Sequence, residues 1–166
     1  MKFLSTAGAM FLALSTSAAS AATYTKAQVD MMVNSLEVTQ AARQYISVTV
    51  LADCSGWGTD QARFIHGRRP KIEICASKMD SPSDVQHTVH HEAIHLAQWC
   101  NGSNSFYDIA AMKKNDRKKW PGDIEWAHEM ASKYYPPSKY EAEFEAYYLM
   151  DNTPDYITEM VHSGCK

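Results

Sequence analysis

His91-Glu92-Ala93-Ile94-His95, within the run from Asp84 to Trp99, is the stretch on which both fold and chemistry turn. Ser81-Pro82-Ser83-Asp84 ahead of it carries helix-start residues, and the run predicts a helix over 84–99. On such a helix His91 and His95 stand one turn apart on one face, so two imidazoles converge on a single ion. Neutral imidazole is a good zinc ligand, with bonds of about 2.0–2.1 Å. Glu92 lies about 100° around the helix from His91, which puts its carboxylate beside the ion as a general base without making it a ligand. The expected cofactor is one Zn2+ per chain. The competing reading is a histidine-rich helix that holds no metal; a strand just before it and a carboxylate-bearing helix downstream argue for the metal.

Upstream of that helix, Val29, Met32, Val33 and Leu36 recur at helical spacing, and Thr25 is placed to cap a helix over 26–44. Ile46 to Ala52 is rich in β-branched residues and predicts a strand. Two further strands are expected at 62–66 and 71–76, joined by the turn Gly67-Arg68-Arg69-Pro70. Downstream, residues 107–118 and 122–135 read as helices, the second stopped by Pro136-Pro137. Ser138 is the expected cap of a helix over 139–150, and Thr153-Pro154 starts a last one that ends near Gly164. The expected class is α+β: a short mixed sheet packed on the HEAIH helix, followed by a mainly helical C-terminal part.

The first 22 residues are set apart from that fold. Lys2, the apolar stretch around Met10-Phe11-Leu12 and the small residues Ala18-Ala19-Ser20-Ala21-Ala22 have the layout of a secretory signal peptide. The apolar stretch is too short to span a bilayer. Residues 23–166 are then a single domain with room for one modest core. The chain of 166 residues carries a net charge of −3, and losing Lys2 makes the remainder slightly more acidic. Nothing in that balance asks for nucleic acid, and nothing in the mature chain asks for a membrane. Cys54, Cys75, Cys100 and Cys165 are an even count in an exported chain and point to two disulfides. Three pairings are open. Cys54–Cys75 would staple the sheet, and Cys100–Cys165 would return the C-terminus to the HEAIH helix. A zinc site of four thiolates is the rival, disfavoured because no Cys-x-x-Cys pair exists.

A catalytic zinc usually takes three protein ligands and keeps a fourth position open. Positions 98 and 101 are Gln and Asn, so no third histidine follows the motif. The segment Glu141-Ala142-Glu143-Phe144-Glu145-Ala146-Tyr147 offers three carboxylates instead. On a helical wheel Glu143 falls within the arc of Ala142, Ala146, Tyr147 and Phe144, while Glu141 and Glu145 fall together on the expected solvent side. A carboxylate amid an apolar face is costly unless something positive meets it. Zinc is the expected partner and a buried arginine the alternative. Asp108 and Asp123 are weaker choices, Asp123 being placed to cap a helix.

These motifs resemble those of the zincin metallopeptidases, and the later glutamate helix resembles the gluzincin branch. In gluzincins a Glu-x-x-Ala-Asp or Glu-x-x-Ala-Asn signature gives its Glu to the metal; here Glu143-Phe144-Glu145-Ala146-Tyr147 matches the Glu and the Ala. It departs at Tyr147, where the family usually has the group that orients a zinc-bound histidine. The resemblance spans about 44–150. It implies that the sheet precedes the HEAIH helix and that its edge strand binds substrate as an added strand; Lys71-Ile72-Glu73-Ile74-Cys75 is expected in that role.

The expected function is a secreted or periplasmic zinc-dependent endopeptidase, a monomer acting on protein or peptide substrates. Its metal ligands are His91, His95 and Glu143 and its base is Glu92. Tyr147 is the first candidate for stabilising the oxyanion and His87 the second. Two alternatives stand: a zinc-binding module without catalysis, which has no need of Glu92, and a zinc amidase acting on cell-wall material. His87 otherwise reads as a surface or core histidine, and His90 faces away from the metal side. The basic run from Lys113 to Lys119 reads as a solvated face. Asn101-Gly102-Ser103 is a glycosylation sequon with meaning only in a eukaryotic source.

Overall fold

The structure, a computed structural model, describes residues 24–103, 105–107 and 123–166. The expected leader, the basic run and Asp108 lie outside the described residues, as does most of the segment expected as a helix over 107–118. Within them the chain is α+β, with six α-helices and a three-stranded mixed sheet. The order is α1 Lys26–Ser35, α2 Glu37–Ala42, β1 Ser47–Leu51, β2 Ala62–Ile65, β3 Lys71–Cys75, α3 Pro82–Cys100, α4 Ile124–Tyr134, α5 Tyr140–Leu149 and α6 Pro154–Gly164. No helix among the described residues is long and apolar enough to cross a membrane.

The expected first helix is two. Thr25 caps α1 with a full capping box, but Leu36 is extended (φ −79°, ψ 130°) and divides it from α2. The local cause is competition for carbonyls: Ser35 Oγ donates to Met32 O (2.7 Å) and Gln40 Nε2 to Asn34 O (2.8 Å). The bend turns Val29 and Val33 of α1, and Val38, Ala41 and Ala42 of α2, toward one core.

The sheet order is β1-β3-β2. β1 runs parallel to β3, with Val50 opposite Ile74; β2 runs antiparallel, with Phe64 opposite Ile72. The strand expected at the substrate edge, 71–75, is therefore the central one, and the edge beside α3 is β2. Burial gives the reason. Ile72, Ile74 and Cys75 are sealed in the core, whereas β2 is half-buried along its whole length. A strand that keeps an edge unpaired is the one that can be left partly wet.

α3 passes between the sheet on one side and α5 and α6 on the other. Its Val89, Ala93, Ile94 and Leu96 are at most 3% exposed, so it is buried nearly all round. Ser81 caps it and Pro82 occupies its first turn, as expected. Asp123 caps α4, accepting from the Glu125 and Trp126 N–H groups (2.9 and 3.0 Å). Ser138 does not cap α5; the cap position falls to Lys139, whose N–H instead closes a turn onto Pro136 O (2.9 Å). The disulfides are Cys54–Cys75 and Cys100–Cys165. By the chain-entropy argument each restrains the unfolded chain by about 3 kcal/mol or more.

α6 crosses α3 at Gly164. A Cβ there would stand 2.7 Å from Ala97 O, 3.1 Å from Ala97 Cα and 3.2 Å from the Phe106 ring. Two of those atoms are backbone of a buried helix and cannot swing aside. Gly164→Ala is expected to destabilise the protein by about 1–3 kcal/mol despite the gain in helix propensity. A shift of the urea midpoint to lower concentration at unchanged slope would register it; an unshifted midpoint would mean that the helices separate freely.

Candidate metal centre

α3 supplies His91, Glu92 and His95, and α5 approaches so that Glu143 reaches the two imidazoles. His91 Nε2 and His95 Nε2 are 3.1 Å apart. Glu143 Oε2 lies 3.3 Å from the first and 3.4 Å from the second. These three atoms form a near-equilateral triangle. Ligand atoms around a tetrahedral ion with bonds of about 2.0–2.1 Å are about 3.3–3.4 Å apart. The triangle therefore has the size of one face of such a coordination shell. His91, His95 and Glu143 can hold a metal ion. Glu143 Oε2 and Glu92 Oε2 are buried without a hydrogen-bond partner, which is a cost unless a cation or a proton meets them.

The electrostatics carry the same tension. Burial would raise the Glu143 carboxyl, but the two imidazoles 3.3 and 3.4 Å away outweigh it and hold Glu143 well below the usual carboxylate range. Burial would lower His95, yet Glu143, Glu92 and Gln98 win and raise it to about 9. Without metal, then, a proton on His95 faces the Glu143 carboxylate. A raised histidine stabilises fully below its unfolded pKa of about 6.5, and a lowered carboxylate above its own of about 4.3. The pair's contribution is whole between those values and fades as pH rises through about 9. Glu92 is displaced upward, chiefly by burial and further by Glu143, with the two imidazoles and the Phe64 backbone N–H opposing.

Two cavities meet at this point. A cleft of about 880 Å³ runs from Asp60 and the β2 residues Ala62 to Ile65, past the cluster, to Trp99 and Lys139. A second, of about 470 Å³, opens on the other side of His91 and Glu92 beneath Trp126, Met130, Tyr134 and Met150. Tyr135 lines both. The Tyr147 ring lies on His91, centroids 4.6 Å apart. Its hydroxyl is hydrogen-bonded to that of Tyr135.

A protein family described as Domain of unknown function (DUF8637) matches residues 57–165. The chain belongs to that family. The DUF8637 span takes in β2, β3 and α3 to α6, hence every residue of the cluster. No curated protein and no solved structure matches the chain.

Within the DUF8637 span the structure brings His91, Glu92, His95, Glu143 and Tyr147 together, and it corrects one neighbour. Glu145, expected to face solvent beside Glu141, is completely buried, while Glu141 is exposed. The reason is a set of donors that the helical wheel does not contain. Glu145 accepts from Gln98 Nε2 (2.8 Å), Ser105 Oγ (3.0 Å), and the Phe106 and Tyr107 N–H groups (2.7 and 2.6 Å). Gln98 and Tyr135 also escaped sequence reading. Gln98 sits three residues after His95 on one helix, a spacing that marks neighbours. Tyr135 carries no local signal beyond its place at a helix end. His87 lines the second cavity, half-exposed and 3.4 Å from Asp151. His90 is buried, its Nδ1 against Met150 O (2.8 Å).

Glu143→Ala is expected to weaken divalent-metal binding by more than the roughly 10–100-fold typical of removing an outer partner, and Glu141→Ala to leave it unchanged. Because the metal displaces a proton from an imidazole, wild-type affinity should also fall as pH is lowered from 9 to 6. Competition against a chromogenic chelator reads both, and equal affinities for the two variants would remove Glu143 from the ligand set.

Proposed function

We propose that the chain is an exported zinc-dependent endopeptidase. The observation that carries this reading is the triangle of His91, His95 and Glu143 atoms with the unpartnered Glu92 Oε2 beside it, open to a cleft lined by β2, an edge strand among the described residues. Two nitrogens and one oxygen at tetrahedral spacing suit zinc, and three protein ligands leave room for reactants. Two disulfides fit an oxidising compartment, and the leader read in residues 1–22 would deliver the chain there. The mature chain is proposed to act as a monomer, away from membranes and nucleic acids.

Bound zinc would supply Lewis acidity to a scissile carbonyl and acidify a water toward a pKa of about 7. The remaining work falls to the chain. An extended peptide would lie along β2, using backbone groups that β3 leaves unpaired. Glu92 would take a proton from the attacking water and pass it to the departing amine. Burial, which raises Glu92, suits a group that must both accept and return a proton. Tyr147, whose ring lies on His91 and whose hydroxyl pairs with that of Tyr135, would donate to the developing oxyanion.

Glu92→Gln is expected to keep zinc and lose about 10²–10⁴-fold in turnover of an unfolded protein substrate. Peptidoglycan assayed in parallel, with and without chelator, tests the amidase alternative. A wild-type protein that binds zinc yet cleaves neither substrate is a binding module, and an active Glu92→Gln variant would exclude Glu92 as the base. Tyr147→Phe should reduce kcat by about 10²–10³-fold with little change in KM; a normal kcat would take the oxyanion role from Tyr147.

A further inference from the structure

We propose that Glu145, acting through Gln98, fixes His95 as an Nε2 ligand, so that these two buried side chains are positioning residues of the metal centre. The inference rests on the metal reading above and concerns what orients one ligand. It begins with the Gln98 amide. Its Nε2 is 3.0 Å from Ala142 O and 2.8 Å from Glu145 Oε2. A carbonyl and a carboxylate only accept, so the NH2 end must face them and Oε1 must face the other way. On that other side, 2.8 Å away, is His95 Nδ1. An amide oxygen also only accepts. His95 Nδ1 therefore carries a hydrogen, and Nε2 is the nitrogen left facing His91 and Glu143, where a proton or a metal ion is exchanged.

Each member is held by the next. Gln98 is 3% exposed and Glu145 is fully buried, so water does not compete for these bonds. Glu145 is gripped by Ser105, Phe106 and Tyr107, three successive residues of the segment after α3. That segment thus determines the carboxylate, the carboxylate the amide, and the amide the imidazole tautomer. The two histidines differ in this. Among the described residues the Nδ1 of His91 is buried without a partner, its ring being held by packing on Tyr147. Glu145 also lies two residues from Glu143 on α5, so one helix gives the metal a ligand directly and steadies another at second hand. A purely structural tie between α3 and α5 would need only the Gln98 bond to Ala142 O. The bond between Gln98 Oε1 and the ligand ring is one that such a tie does not require.

The test uses the full mature chain, loaded with zinc for affinity and with cobalt for its visible spectrum. Gln98→Met keeps bulk and removes both hydrogen-bonding ends; it should weaken zinc by about 10–100-fold and change the cobalt band, while far-ultraviolet circular dichroism stays that of the wild type. Glu145→Gln should act in the same direction and serves in its place if Gln98→Met does not fold. The exchange Gln98→Glu with Glu145→Gln restores an acceptor for His95 and a bond between the two positions, and should recover at least half of the lost binding free energy. Proton–nitrogen correlation of the metal-free wild type should find the His95 neutral form protonated at Nδ1. If both single variants bind zinc within twofold of wild type with an unchanged cobalt band, the positioning role is overturned and the metal centre stands. If the wild type takes up neither ion, the metal reading itself has failed, and this inference fails with it.

Discussion

Burying one carboxylate against two imidazoles where α3 meets α5 is the constraint around which the rest is arranged. Each of those groups loses hydration, and a charge taken from water costs several kcal/mol unless it is met. The chain meets it with whatever cation is at hand, a proton on His95 or a metal ion. That requirement explains why α3 is sealed by apolar contacts on nearly every side. Clamped between sheet and helices, α3 holds its two imidazoles at a separation of 3.1 Å. It also explains why the covalent ties sit where they do: Cys100–Cys165 fastens the far end of α3 to the end of α6, and Cys54–Cys75 fastens the sheet against which α3 packs.

Much of this was legible in the sequence, for reasons that are local. The spacing of His91 and His95 is a property of one helix. Ser81-Pro82 and Thr153-Pro154 are capping signals written into adjacent residues. Glu143 could be picked out because an acidic residue among apolar neighbours contradicts its own helix face. What escaped reading depends on distant segments. Glu145 was assigned to solvent because a helical wheel reports angle and not what lies opposite; its four donors come from α3 and from residues 105–107. The resemblance puts 71–75 at an edge, but the place of a strand depends on its neighbours, and here β1 and β2 both pair with β3. Gln98 was noticed only for not being a histidine.

The two sides of the centre are built differently. On the Trp99 and Lys139 side the cleft is wide and its rim carries charge, including Arg63, which pairs with Asp60 (2.9 Å) and lies over the Trp57 ring. On the Trp126 and Met130 side the cavity is smaller, and it sets aromatic and thioether groups opposite Asp60, Asp84 and His87. β2 borders both. A chain lying along that strand would have its residues sorted by these two surroundings, with backbone pairing indifferent to sequence and side-chain fit supplying preference.

The unpaired rim of β2 bears on colloidal behaviour as well. A bare strand edge is a template on which other chains can stack. Here that rim lines a cleft, and the Phe64 N–H faces the Glu92 carboxylate. The contact that steadies Glu92 thus also occupies part of the edge, and the strand offers a passing chain fewer free groups there.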